Sequence, residues 1–114
     1  MRRRLLFCLL MLGACSKGPQ ADLQYISKAR SLAAEWALIN ELAAKGQLTD
    51  AYVSSMHKSL REQVQTAGNA LTDPNASYAQ DIKGIAALPD DAPPPQFRAI
   101  SDKLKQVEDR LESA

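Results

Sequence analysis

The sequence predicts an all-α protein, a three- to four-helix bundle built on a long antiparallel helical hairpin. Three observations lead there. After residue 20, apolar residues recur at three- and four-residue steps through three long stretches, the period of a helix with one buried face. No stretch alternates apolar and polar residues as a half-buried strand would. The first two periodic stretches are joined by only a few residues around Gly46 and Thr49, and so short a link favours antiparallel neighbours.

The chain opens with Arg2, Arg3 and Arg4 and continues with an uncharged, mostly apolar run from Leu5 to Ala14. Basic, then apolar, then small residues is the layout of an export signal. As a helix, that run would rise only about 15 Å, roughly half the thickness of a bilayer core, so it is too short for a permanent transmembrane span. Its end carries the specific pattern. Leu12-Gly13-Ala14-Cys15 resembles the lipobox of bacterial lipoproteins: a branched apolar residue, two small residues, then cysteine. Gly13 is a tolerated residue at its position rather than the commonest one. The resemblance implies that Leu12, Gly13 and Ala14 are recognised by the signal peptidase, that residues 1–14 are removed, and that the Cys15 thiol carries a diacylglycerol lipid. Residues 15–20, with Lys17, Gly18 and Pro19, then read as a short lipidated tether, and residues 21–114 as the helical domain.

Composition supports that division. The full chain has 14 basic and 13 acidic residues. The three arginines leave with the signal, so the mature chain has 11 basic against 13 acidic residues, a net charge of −2. The remaining Lys and Arg are scattered singly, with no basic stripe and no interleaved aromatics, which gives nucleic-acid binding no support. Cys8 falls in the signal and Cys15 is the lipid site, so the body has no disulfide and must be held by packing. Hydrophobic residues make up 46% of the chain but aromatics only 5%, which predicts a thin core rich in Ala and Leu.

The first helix is predicted over residues 21–45. Tyr25, Ala29, Leu32, Trp36, Ile39 and Ala43 form its stripe, and Ala33 and Ala37 allow close approach of a neighbour. Asp22 suits the positive end of the helix dipole, and Gly46 ends the helix in a left-handed turn. The second helix starts after Thr49 as N-cap, with Leu48 and Val53 as a hydrophobic staple. Its stripe is Val53, Met56, Leu60, Val64, Ala67 and Leu71. Asp73 and Pro74 end it and are expected to start a third, short helix as N-cap and first helical residue. That helix carries Tyr78, Ile82 and Ile85 inward, is weakened by Gly84, and ends before Pro89. Residues 90–95 form a stiff loop. The last helix is predicted over residues 95–112, with Phe97, Ile100, Leu104, Val107 and Leu111 as a coiled-coil-like seam. That seam serves either its own hairpin or a second copy.

No side-chain set meets the requirements of a catalytic or metal centre, and no cofactor is expected. His57 is the only histidine. It lacks companions at ligand spacing and reads as a half-exposed helix residue. Trp36 reads as core. Glu35 and Glu41 lie on different helix faces. Asp90 and Asp91 read as solvated carboxylates, and Pro93-Pro94-Pro95 as a stiffener that opens the last helix. Leu38 falls off the stripe beside Leu42 and marks either a wider core or a contact surface.

A membrane anchor joined to a small helical body without reactive clusters predicts a non-enzymatic interaction or structural module of the bacterial cell envelope. Its expected partners are the membrane, through lipid on Cys15, and an envelope protein, with self-association as a further option. Residues 31–50, opening Ser-Leu-Ala-Ala-Glu-Trp-Ala-Leu-Ile-Asn-Glu, resemble uncharacterised small helical exported proteins of Gram-negative bacteria, a resemblance that brings no activity with it. Ser16 rather than Asp after the lipid site implies delivery to the outer membrane, facing the periplasm. Two alternatives compete: a membrane-active or stress-type lipoprotein acting on the bilayer, which calls for a cationic helix face, and a binder of a small apolar ligand between the helices. An enzyme is the least favoured class.

Overall fold

The computed structural model describes residues 19–113. The expected signal of residues 1–14 with Leu12, Gly13 and Ala14, the lipid site Cys15 and the tether as far as Gly18 lie outside the described residues. Four helices form the all-helical body: α1 (Pro19–Ala44), α2 (Asp50–Asn69), α3 (Ser77–Ala87) and α4 (Pro94–Glu112). None of the described helices is long and apolar enough to cross a membrane.

Helix α1 begins two residues before the expected start. Pro19 takes its first position, where a missing N–H costs nothing and φ is already helical. Pro19 and Gln20 therefore lie in the helix. At the other end Gly46 has φ +70°, its N–H reaches Ala43 O at 3.0 Å, and Gln47 N–H reaches Leu42 O at 3.0 Å. Those two bonds form a Schellman motif, which needs the left-handed residue that glycine supplies. The next helix is capped as expected: Thr49 Oγ1 accepts from Tyr52 N–H at 3.2 Å, and Leu48 and Val53 both pack against the core.

The buried face of α1 differs from the predicted stripe. Ile26 is fully buried where Tyr25 was expected, and Tyr25 and Ala43 are only half-buried. The reason is position. α1 touches all three other helices, so Ile26, Ala29, Ala33, Trp36 and Ala37 are all fully buried, with Leu32 and Ile39 nearly so. Ala33 and Ala37 let the neighbours approach closely.

Helix α2 runs antiparallel to α1: Asn40 meets His57 near the connecting turn, and Asp22 meets Thr72 at the far end. Leu60, Val64 and Ala67 are buried, and Val53, Met56 and Leu71 pack partly buried against the core. The third helix starts at Ser77 rather than Pro74. The Asp73 side chain accepts from Asn75 N–H at 3.1 Å, closing a local turn instead of capping a helix, and Ala76 is the N-cap without a side-chain bond. The inner residues Tyr78, Ile82 and Ile85 are buried as expected. Helix α4 starts one residue early, at Pro94, and packs antiparallel along α1, with Phe97 against Trp36 and Ser101 against Arg30. Its seam therefore closes on its own chain. Ile100 and Leu111 are only half-buried, while the polar Ser101 and Glu108 are buried.

Candidate functional site

Three of the residues that sequence marks, Trp36, His57 and Asp90, meet with Asn40 and Arg61 in one cluster near the turn end of the hairpin. Trp36 and Asn40 stand one turn apart on α1, and His57 and Arg61 one turn apart on α2. Together they grip the segment that leaves α3. Trp36 Nε1 donates to Asp90 O at 2.9 Å. Asn40 Nδ2 donates to Asp90 O at 3.0 Å and to Ala92 O at 2.9 Å. Because that amide nitrogen faces two carbonyls, Asn40 Oδ1 must face His57 Nε2, 2.7 Å away. An amide oxygen only accepts, so His57 Nε2 carries the proton and donates it.

Arg61 completes the grip. Its guanidinium donates to Ala86 O, to Leu88 O at 2.9 Å and to the Asp90 carboxylate at 2.6 Å. Carbonyls 86 and 88 belong to the last turn and cap of α3, which exposes unpaired acceptors and partial negative charge. The same guanidinium lies over the Trp36 ring, 4.9 Å from its centre, a cation–π contact. Trp36 also stacks with His57 and with Phe97, at 5.9 Å and 4.7 Å between ring centres.

Two expectations are corrected here. His57 is buried, at 8% exposure, because Asn40 supplies the acceptor that lets an imidazole enter the core. Asp90 is more than a solvated carboxylate. Its side chain stays half in water but pairs with Arg61, and its carbonyl is the shared acceptor of Trp36 and Asn40. Trp36 sits in the core as predicted, and Leu38 stands 50% exposed on the outer face of α1. Sequence inspection missed Asn40 as the hub. The available signal was the pair of one-turn spacings, Trp36 to Asn40 and His57 to Arg61, on adjacent helices.

A second cluster fastens the opposite end. Asp22 is fully buried. Its carboxylate accepts from Thr72 N–H at 2.7 Å, Asp73 N–H at 3.3 Å and the Tyr78 hydroxyl at 2.6 Å. Burial by itself pushes the Asp22 carboxyl up, but the bonds from Tyr78, Thr72 and Asp73 together outweigh it and hold the group below the ordinary carboxylate value. The Tyr78 phenol is pushed well above its ordinary value by burial and by the adjacent Asp22 charge. Asp22 is thus an anchor for the α2–α3 turn, beyond the dipole role read from sequence.

Along α4, Glu108 is buried beside Arg30, with Nε and Oε1 3.2 Å apart, and its Oε2 has no hydrogen-bond partner among the described residues. Carboxylate oxygens of Glu108, Asp109 and Glu112 come within 4.8 Å of one another, so these residues could hold a metal ion. Arg30 on Glu108 and Lys105 on Asp109, at 3.0 Å, already supply two of the counter-charges. Half-buried Glu41 is held below its ordinary value by Arg98, with Lys45 adding to it.

Compared with protein-family models, curated proteins and solved structures, the chain matches none.

Proposed function

We propose that the protein is a lipid-tethered, non-enzymatic docking module of the bacterial cell envelope, anchored through Cys15 and facing the periplasm from the outer membrane. The folded part is read as a four-helix bundle that holds a contact surface at a fixed height above the bilayer. The observation that carries this reading is how the buried and half-buried polar groups are used. His57, Asn40, Arg61, Asp22 and Tyr78 are all engaged with backbone or with each other, and their partners fasten loops. A nucleophile paired to an activating base is not seen among the described residues. Among the described residues, the large apolar side chains left in water are Leu38 at 50% and Tyr52 at 48% exposure, both in the half of the hairpin nearest its turn. Exposed apolar groups at one end of a tethered body suit protein–protein contact.

The test is site-specific photo-crosslinking in cells from positions 38 and 52, compared with positions 28 and 80 on the exposed body. One envelope protein captured from 38 and 52 but not from 28 or 80, and lost in Leu38→Glu, supports the reading. Equal, diffuse capture from all four positions sinks it.

A further inference from the structure

The start of α1 and the end of α4 come together at the end of the molecule opposite the hairpin turn. Gln20 Nε2 donates to Leu111 O at 2.9 Å, and the α2–α3 turn is held alongside by Asp22. Between these elements lies an open groove of about 260 Å³ whose walls include Pro19, Ala76, Val107 and Leu111. Arg110 is its only charged lining residue, and the Arg110 guanidinium has no ion-pair partner among the described residues. The neighbouring acids do not oppose it. Asp109 is held by Lys105 at 3.0 Å. Glu112 lies two residues on, about 200° further round the helix.

We propose that this end is a membrane-docking surface, seated on the phospholipid bilayer that holds the Cys15 lipid, with Arg110 on a lipid phosphate and the apolar groove at the headgroup–acyl boundary. The inference rests on the lipid-anchor reading and adds a face and an orientation to it. The length of chain before the structure selects the bilayer as occupant. Only three residues lie between Cys15 and Pro19, and the four backbone steps span at most about 14 Å when extended. The headgroup layer on each side of the hydrocarbon core is about 5–8 Å thick. An anchored Cys15 therefore holds Pro19 within or just above that layer, and Pro19 is itself a wall of the groove. An unpaired guanidinium is suited to the two-pronged bonding that phosphate oxygens accept. Seated this way, α1 rises from the bilayer and carries Leu38, 19 residues beyond Pro19, about 28 Å along the helix axis. The exposed Leu38 and Tyr52 then face away from the membrane.

The experiment uses the mature, lipid-bearing protein in vesicles of phosphatidylethanolamine and phosphatidylglycerol. Flotation and the mass of the Cys15 peptide report the anchor, and amide hydrogen exchange reports the docked face. The wild type is expected to float and to exchange several-fold more slowly at residues 71–78 and 106–113 than Arg110→Glu in the same vesicles, with residues 47–58 equal in both. Arg110→Lys is expected to fall between them. A wild type that floats with the acyl mass on Cys15 but exchanges like Arg110→Glu throughout overturns the docking surface and leaves the anchor standing. A protein that neither floats nor carries the acyl mass overturns the anchor, and the docking surface with it.

Discussion

Asn40 and His57 meet across the two long helices at 2.7 Å, and the amide of Asn40 bonds two loop carbonyls at the same time. One side chain therefore fixes the imidazole tautomer, the register of α1 on α2, and the path of the chain from α3 into α4.

Asn40→Ala is expected to leave the His57 N–H and the Ala92 carbonyl without partners in a buried place, with the Asp90 carbonyl still held by Trp36, at a cost of about 2–3 kcal/mol. Urea unfolding with an unchanged m-value checks it. A loss under half a kcal/mol would mean that water or a shifted loop replaces the amide.

Arg61 acts through the shape of its guanidinium as much as its charge. Arg61→Lys keeps the charge but cannot reach Ala86 O, Leu88 O and the Asp90 carboxylate together. Both Arg61→Lys and Arg61→Ala are expected to speed amide exchange across residues 86–93, Lys less than Ala. A Lys variant indistinguishable from wild type would show that charge alone holds the loop.

Asp22 gives the fold an acid limb. Its folded carboxyl titrates below the ordinary value of 3.8. The stability it supplies is therefore complete above that value and is lost as pH falls below it toward the folded value. Asp22→Asn is expected to lower stability at neutral pH and to flatten its decline below pH 3.8. Tyr78→Phe removes a 2.6 Å bond to the buried charge and is expected to cost about 2 kcal/mol. Carboxyl titration by NMR should show Asp22 moving upward in that variant.

Gly84 is a helix-interior glycine whose added Cβ would meet only Ile100 Cδ1, at an ordinary 3.8 Å. Gly84→Ala is expected to stabilise the protein by about 1 kcal/mol through backbone entropy. Destabilisation would mean that α3 and α4 approach more closely than this distance indicates.

The helices were legible in the sequence because their signals are local. Gly46, Thr49 and the three- and four-residue steps of α2 and α4 depend on neighbours along the chain. What was not legible depends on the partner across the core. Tyr25 and Ile26 are adjacent and both apolar, and only the placement of α2, α3 and α4 around α1 decides which points inward. Asp73 before Pro74 has the form of a helix start, yet Asp22 holds the amides of residues 72 and 73 and the helix begins four residues later. His57 reads as exposed until Asn40, 17 residues earlier, is placed opposite it.

Both the tether and the docked face depend on the anchor, so the most direct measurement is the mass of the mature N-terminal peptide from protein recovered in the envelope fraction, beside Cys15→Ala. A lipid-anchored protein gives a chain beginning at Cys15 with diacylglycerol and acyl mass on that residue, and no such species in the variant. A mature chain beginning elsewhere, or an unmodified Cys15, would contradict the anchor.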